Sequence, residues 1–347
     1  MDATDDATDD AIEGTDEIED RLIHGADLDG LIRLIDDLTD AGDFARLRRV
    51  RDRSRDAVAT GRQLWPAATL AEYRITLLGP ADEAVRCLDD RAGRFAIGPL
   101  SEVIAQGHTW SELAPLLAHQ PIACSIAHER AMRSEIIDPA SLREVPTVLD
   151  IPTEIQPWEP DYRLAEYHRD RADFSAPAPP ISLHGADAIE TIETIVGAEA
   201  LDDEVEPTWR QHLEAWTAQS NGRAEAVCSV GGPAEVLGAL GLRRARLIGI
   251  NAPEALTWLA WAGASGGAHG RRPGGAMGRY GAWWLVAALA DLTDDWPVDP
   301  GRLGDCAASL EWYWFDDGTA PTGWHINLVA HDPDEAVSWA LHASDSL

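Results

Sequence analysis

Prolines crowd one stretch in the middle of the chain and constrain its fold more than any other feature. The segment 137–183 contains EVPTVLDIPTEIQPWEP and SAPAPP. Proline lacks an amide proton and biases the preceding residue toward extended backbone, so long helices are unfavourable there. We therefore expect a proline-rich extended connector over 138–183, with separate folded regions before and after it.

The region before the connector, 21–137, has a helical period. In DLDGLIRLIDDL the apolar residues recur at steps of three and four, which is typical of an amphipathic helix. Glycine and proline interrupt this pattern at several points and predict short helices. The interruptions fall at Gly61, Gly79-Pro80, Gly98-Pro99 and Gly107. The region is predicted to be an all-α helical bundle or a short solenoid.

The first twenty residues differ from this helical region in their charge. Residues 1–20 contain ten acidic residues and no basic one. Mutual repulsion and the lack of apolar surface predict a disordered acidic tail.

The region after the connector, 184–347, predicts strands as well as helices. Three segments place a short apolar strand before a turn and a helix start: AVCSVGGPAEVLGAL, RLIGINAPEALTWLAWA and INLVAHDPDEAVSWAL. Each has a capping residue three positions before a glutamate, with proline in the first helical turn. These pairs are Gly232 with Glu235, Asn251 with Glu254, and Asp332 with Glu335. The expected fold class is α+β, with duplicated strand-turn-helix units in this C-terminal domain.

The segment LEWYWFDDGTAPTGWHINLVAH adds a further prediction to the same domain. Its two apolar runs flank a turn at Asp316 to Gly323, as in an antiparallel hairpin.

Charge excludes several function classes. Sixty acidic residues against 28 basic ones give a formal net charge of −32, and repulsion from the phosphate backbone disfavours nucleic-acid binding. All 28 basic residues are arginine. Without lysine the chain cannot be a P-loop, pyridoxal or kinase-type enzyme. No cofactor is predicted.

Cysteine use and hydropathy bear on location. The four cysteines are widely spaced and form no C-x-x-C pair, as in proteins of a reducing compartment. No N-terminal signal peptide is recognisable, and the most apolar run, 282–290, is too short to cross a bilayer, which takes about 20 residues. We expect a cytoplasmic protein without membrane association.

One glycine-rich segment, GGAHGRRPGGAMGR at 266–279, is cationic in this acidic chain. Pro273 is suited to open a helix, whose first amide groups have no intrahelical partner and attract anions. Arginine can bind phosphate or carboxylate through two parallel hydrogen bonds. The predicted anion site consists of His269, Arg271, Arg272, Gly274, Gly275 and Arg279.

A structural interpretation of the same segment remains open. Gly270, Gly274, Gly278 and Ala282 recur every four residues and would let two helices pack closely. The arginines would then form ion pairs with carboxylates of the same chain and join its two halves.

Other candidate residues carry weaker signals. Ser265 lies in GASGG, which resembles the surroundings of a serine-protease nucleophile but follows a helix. His325 and His331 bracket a predicted strand, yet the histidines lack the spacing of metal ligands, so no metal site is predicted. Asp316 and Asp317 fit a solvated turn. Seven tryptophans could stack on a base or sugar, but core packing explains them as well or better. They are Trp258, Trp261, Trp283, Trp284, Trp312, Trp314 and Trp324.

Several stretches resemble a family of uncharacterised actinobacterial proteins, over most of the chain outside the tail. They are LWPAATLAEYRITL, GRFAIGPLSEV, HTWSELAP, HERAMRSE, IQPWEPDYRLAEY and SGGAHGRRPGGAMGRYGAWW. The resemblance implies an intracellular protein. It implies no activity, and it assigns no site residue.

The sequence therefore favours a non-catalytic binding or interaction protein whose partner is another protein or a small anion. The alternative is an enzyme that acts on a phosphorylated or carboxylated small molecule held by Arg271, Arg272 and Arg279. No catalytic residue is assigned; His269 is the nearest candidate for a general base.

Overall fold

A computed structural model of the chain describes residues 17–88, 98–318 and 322–346. The chain forms two compact units. Of the described residues, unit 1 comprises those up to His119 together with Tyr167–Ala172, and unit 2 comprises Gln120–Glu166 and those from Asp173 onward.

Unit 1 is helical. Its helices are α1 (Leu28–Ala41), α2 (Phe44–Ala59), α3 (Trp65–Leu78), α4 (Ala81–Val85), α5 (Leu100–Gly107) and α6 (Trp110–Leu117). The aspartates at the starts of α1 and α2 accept hydrogen bonds from backbone amides one turn later, which stabilises each helix start. The predicted helical N-terminal part is confirmed.

The core of unit 1 follows the predicted period. Leu31 and Ile35 of α1 are fully buried with Leu47 and Val50 of α2. Residues 1–16 of the predicted acidic tail lie outside the described residues, and residues 17–24 are helical.

Unit 2 combines helices with a sheet. Its helices are α7 (Ile122–Met132), α8 (Pro180–His184), α9 (Val205–His212), α10 (Glu214–Gln219), α11 (Pro233–Ala239), α12 (Ala252–Ser265), α13 (Gly275–Leu289) and α14 (Pro300–Ser309). Short 3₁₀ helices occupy Pro139–Leu142, Ala186–Ala188 and Thr293–Asp295. Strands β1 (Glu166–Tyr167) and β2 (Ala172–Asp173) form a two-stranded ribbon, and each strand has one residue in each unit.

The main sheet of unit 2 contains six antiparallel strands. They are β3 (Glu190–Glu193), β4 (Arg223–Val230), β5 (Arg244–Ile250), β6 (Glu311–Asp316), β7 (Trp324–Asp332) and β8 (Val337–Asp345). Their order is β3-β5-β6-β7-β8-β4. The strands β6 and β7 form the predicted hairpin, in register at Trp314 with Leu328. The fold class α+β is confirmed.

Helices cover both faces of the sheet. Trp258 and Leu259 of α12 belong to the same core as Trp312 and Leu328. On the other face, Val236 and Leu237 of α11 pack in a cluster with Leu247, Phe315 and Val329. The large core with α12 and α13 is the one that positions the candidate site.

Two of the three predicted strand-turn-helix units are confirmed. In β4–α11 and β5–α12, the carboxylates of Glu235 and Glu254 accept from the amides of Gly232 and Asn251, both at 2.9 Å. Both glutamates are therefore capping residues.

The prediction of a third unit, with a helix after Asp332 and Glu335, is wrong. Asp332 does accept from the amides of Asp334 and Glu335, at 2.8 and 3.1 Å, but the chain turns back as a hairpin. The strand β8 then pairs with β7 on one side and with β4 on the other. Two ladders of backbone hydrogen bonds replace those of a short terminal helix.

The proline-rich segment begins as irregular backbone. Between Pro139–Leu142 and Glu166 the chain forms turns and extended stretches without a helix or strand. The segment ends in β1, β2 and α8. Helix α7, at the end of the predicted helical domain, is part of unit 2. The domain boundaries predicted from the sequence stay a prediction.

Candidate functional site

Arg279 lies on the first turns of α13 and is completely buried, with 0% of its side chain exposed. Its Nε and Nη2 donate to the two carboxylate oxygens of Glu159, each at 2.7 Å. Nη1 donates to Nδ1 of His128 at 2.7 Å, and Nη2 also reaches the carbonyl of Glu154 at 3.0 Å. This predicted anion-site residue therefore binds carboxylate of its own chain.

Glu159 is held by more than the arginine. It also accepts from the amide of Gln156 at 2.7 Å, from Nε1 of Trp283 at 3.0 Å and from the hydroxyl of Tyr162. Burial opposes its ionisation, but the hydrogen bonds and charge of Arg279 outweigh burial, so the pKa of Glu159 lies below its usual value. The carboxylate is ionised and well satisfied.

His128 completes this buried network. Burial, and after it the charge of Arg279, lowers the pKa of His128 to about 3. The imidazole is therefore neutral at pH 7, and its Nδ1 accepts from the arginine. The network fastens residues 153–159 of the proline-rich segment to α13.

The predicted anion position at the start of α13 is also taken by the chain itself. The carboxylate of Glu129, from α7, accepts from the amide of Ala276 at 2.7 Å. A Cβ on Gly275 would lie 3.1 Å from the same carboxylate oxygen, so glycine permits this close approach. Gly274 has a φ of 105° and precedes the helix.

The remaining predicted residues make other contacts. The guanidinium carbon of Arg272 is 3.5 Å from the centroid of the Phe174 ring, a cation–π contact. Arg271 and His269 are exposed. Their backbone amides donate to side chains at the end of α10, to Gln219 at 3.3 Å and Ser220 at 3.0 Å.

Close packing of α12 and α13 accounts for some of the glycines. A Cβ on Gly278 would lie 2.2 Å from the carbonyl oxygen of Ala260. Ser265, at the end of α12, is buried and donates to the carbonyl of Ala262 at 2.9 Å. It accepts from Nε1 of Trp216 at 2.8 Å, so this hydroxyl is part of the helix packing.

A cavity of about 390 Å³ opens beside α13, and we call it the α13 pocket. Helix α13 and Pro273, two residues before it, contribute one wall together with Gly263 of α12, and α9 and α10 contribute the other. The lining residues are Thr208, Gln211, His212, Glu214, Ala215, Gln219, Gly263, Pro273, Met277, Tyr280, Gly281 and Trp284. Of these described residues, only Glu214 has an acidic or arginine side chain.

His212 is wedged between α12 and α13. A Cβ on Gly263 would lie 2.2 Å from its Cε1, and a Cβ on Gly281 would lie 2.1 Å from its Nδ1. The ring therefore requires glycine on both helices. Nε2 is 2.8 Å from the carbonyl of Leu259. A carbonyl only accepts, so Nε2 carries the proton and Nδ1 has a lone pair.

Desolvation fixes the charge of this histidine. Burial lowers the pKa of His212, and the hydrogen bond to Leu259 only partly offsets it. The ring is neutral at pH 7.

Two aromatic residues of α13 complete the pocket. Trp284 and Tyr280 are each packed edge-on against Trp296, with centroid distances of 4.9 and 5.8 Å. Burial, and then the charge of Asp150, raises the pKa of Tyr280, so its hydroxyl stays protonated. The pocket thus combines rigid rings with hydrogen-bonding groups.

The sequence profile of a family of unknown function, DUF6183, matches residues 29–346. The chain belongs to this family. No curated protein and no solved structure matches the chain. The resemblance to a family of uncharacterised proteins is confirmed.

The sequence does not predict most of the residues that line the α13 pocket. His212 lies in WRQHLEAW, which contains no recognised motif, and Gln211 precedes it. Nothing in the sequence distinguishes Trp284 from the other tryptophans. The partial signal was Pro273, which placed a helix start beside the pocket.

The described residues contain no group of three or more histidine, cysteine, aspartate or glutamate side chains that could hold a metal ion. In the same part of the chain, no helix has the length and hydropathy needed to cross a membrane.

Proposed function

We propose that this DUF6183 protein is a non-catalytic binding protein and that the α13 pocket takes a small molecule with a planar heteroaromatic group, such as a nucleobase. One observation carries the proposal. The cavity of about 390 Å³ brings the rings of Tyr280 and Trp284 together with the neutral His212.

Size and ring chemistry both agree with such a ligand. Small-molecule pockets have volumes of about 300–1,000 Å³, and this one falls within that range. Tyr280 and Trp284 are held by Trp296. Rings that are already ordered lose little conformational entropy when a base stacks on them.

The hydrogen-bonding groups suit the edge of a base. Nδ1 of His212 is an acceptor because Nε2 donates to Leu259. The amide of Gln211 offers both a donor and an acceptor. The side-chain oxygen of Gln219 already accepts from the amide of Arg271, which favours donation by its NH₂ group.

A binding role is favoured over catalysis by the state of the histidine. Its protonated nitrogen is held by the backbone carbonyl of Leu259, and Ser265 donates to another carbonyl. A nucleophile and base that act together need a hydrogen bond to one another. Neither of these two residues provides one.

An anion site remains a second candidate, now centred on Arg271. Its amide is bonded to a lining residue, Gln219, and its side chain is exposed. A phosphate attached to a bound nucleoside would therefore lie near this guanidinium. The alternative of an enzyme that holds its substrate with Arg271, Arg272 and Arg279 stays a prediction. The buried ion pair of Arg279 with Glu159 disfavours a substrate contact for Arg279.

Isothermal titration with adenosine, guanosine, cytidine and uridine tests the proposal. We expect at least one nucleoside to bind with a stoichiometry of one. Trp284→Leu should weaken that binding at least fivefold, since stacking contributes about 1–3 kcal/mol per base. Gln211→Ala should weaken it as well. Arg210→Ala changes an exposed neighbour on α9 outside the lining set and should leave binding unchanged.

Two outcomes would contradict the proposal. One is the absence of binding by all four nucleosides at millimolar concentration. The other is unchanged binding to Trp284→Leu and Gln211→Ala. The nucleoside monophosphates provide a separate arm: if Arg271 contacts phosphate, Arg271→Gln weakens binding of the monophosphate and not of the nucleoside.

A further inference from the structure

A second and larger cavity, of about 680 Å³, lies at the end of the main sheet where β6 leads into β7. We call it the sheet-end pocket. Its polar lining residues come from five strands and the following turn, and they include Glu225, Arg246, Asp316, His325, Asn327 and His342. It is separate from the α13 pocket, because the two sets of lining residues share no member.

Strand register brings the central residues side by side. His342 of β8 is directly opposite Glu225 of β4 and also opposite Asn327 of β7. Cross-strand neighbours have Cβ atoms about 4.5–5.5 Å apart, so the three side chains form a row across the sheet. None of the spacings in the sequence places these three residues together.

His342 is anchored so that one nitrogen can only accept. Its Nδ1 is 2.7 Å from Oδ1 of Asn327. The amide oxygen accepts, so Nδ1 carries the proton in the neutral ring and Nε2 has a lone pair. Burial lowers the pKa of His342, although Glu225 opposes this shift.

His325, like His342, uses one ring nitrogen as a donor. It donates one N–H to the backbone carbonyl of Gly323, and burial lowers its pKa in spite of that hydrogen bond. Its ring packs against Trp314 at a centroid distance of 5.7 Å. Each histidine is therefore neutral at pH 7 and contributes an acceptor nitrogen.

The charged groups of the cavity also favour a ligand that donates hydrogen bonds. The one arginine among the described lining residues, Arg246, donates to Asp316 at 2.6 Å, so these two charges compensate each other. Glu225 and Asp317 add negative charge. A ligand that donates hydrogen bonds and carries positive charge matches both the acceptor nitrogens and the carboxylates.

Aromatic residues bound the cavity. Trp314 and Phe315 line it, and the face of an aromatic ring attracts a cation. A bare metal ion is a poor fit, since the described residues contain no group of three ligating side chains.

We propose that the sheet-end pocket binds an organic cation with several N–H donors, an alkylguanidinium or alkylammonium ion. The acceptor-rich row Glu225–His342–Asn327 supplies its recognition, and Phe315, which lines the same pocket, contacts its alkyl part.

Agmatine and choline distinguish this proposal from general attraction of cations to an acidic protein. Both are organic cations, but choline has no N–H donor. In isothermal titration of the full chain at 150 mM sodium chloride, about physiological ionic strength, we expect agmatine to bind at one site at least tenfold more tightly than choline. Adenosine binding at the α13 pocket should not change when agmatine is present, so the two proposals can fail separately.

Charge-matched variants localise the binding. Glu225→Gln should weaken agmatine binding at least fivefold, whereas Glu193→Gln, at an exposed glutamate on β3, should not. His342→Gln should weaken it too, and circular dichroism establishes that each variant is folded. Equal affinity for agmatine and choline would overturn the proposal. So would equal losses in the Glu225 and Glu193 variants, or agmatine binding that Glu225→Gln leaves unchanged.

Discussion

Helix α13 has two faces with opposite properties. Arg279 and Tyr280 are neighbours in sequence, yet Arg279 is sealed against Glu159 and Tyr280 lines an open pocket. The arginine face has hydrogen-bond partners from its own chain. The aromatic face shares its pocket with His212. The strongest sequence signal in this helix therefore serves the fold, whereas the candidate function lies on the side without a motif.

The largest effect is expected from a substitution on the arginine face of α13, which we call the closed face because Arg279 is buried there. Arg279→Met leaves the ionised Glu159 buried without its partner, which should lower the free energy of unfolding by about 3–5 kcal/mol. Urea denaturation measures the loss. The double variant Arg279→Met/Glu159→Leu removes both charges and should lose less than the sum of the single variants. A loss below about 1 kcal/mol for Arg279→Met would fit an ordinary point substitution and not a buried ion pair.

A smaller effect is expected from a substitution that disturbs the close packing of His212 against Gly281. In Gly281→Ala the new Cβ would lie 2.1 Å from Nδ1 of the ring, so we expect a loss of about 1–3 kcal/mol from overpacking. In Gly249→Ala the Cβ would meet nothing within 4 Å, and this control should not be destabilised. Combining Gly281→Ala with His212→Ala should relieve the clash. Additive losses in that pair would show that the ring does not require glycine.

The pH dependence of stability tests the buried network of the closed face, because this network contains His128. The pKa of His128 is about 3 in the fold against an ordinary 6.5, so between these values the unfolded chain binds a proton that the folded chain does not. Stability is therefore lost as the pH falls from 6.5, by up to about 1.4 kcal/mol per pH unit. Glu159, whose pKa is lowered, adds a further loss of the same sign only as the pH falls below its unfolded value.

The measurement is urea unfolding at a series of pH values from 7 downward. His128→Gln should flatten the dependence just below pH 6.5, before carboxylates titrate. His212→Gln should also flatten it, because the pKa of His212 is lowered too. The same slope in His128→Gln and the unaltered protein would show that His128 does not resist protonation.

Local patterns in the sequence predicted local structure well. The period of Leu31 and Ile35 identified a helix, and the cap residues before Glu235 and Glu254 identified two helix starts. The same capping pattern at Asp332 was wrong, because pairing with two neighbouring strands is a long-range effect. Pro273 signalled a helix that begins two residues later, at Gly275.

The candidate sites depend on contacts that no spacing reveals. Arg279 and Glu159 are 120 residues apart, so the sequence left open whether this arginine would bind a ligand or its own chain. The α13 pocket draws residues from four helices, and the sheet-end pocket needs the register of β4, β7 and β8. Such assemblies follow from strand order and helix packing.

The smallest expected effect on stability belongs to Arg271, the exposed arginine of the same segment. Arg271→Gln should change the free energy of unfolding by no more than about 0.5 kcal/mol, as is usual for surface substitutions. Its consequence should appear in binding, as a weaker affinity for a nucleoside monophosphate at low salt, where charge contacts are least screened. A loss of stability near that of Arg279→Met would contradict the contrast between the two arginines, because Arg271 would then also be part of the closed face.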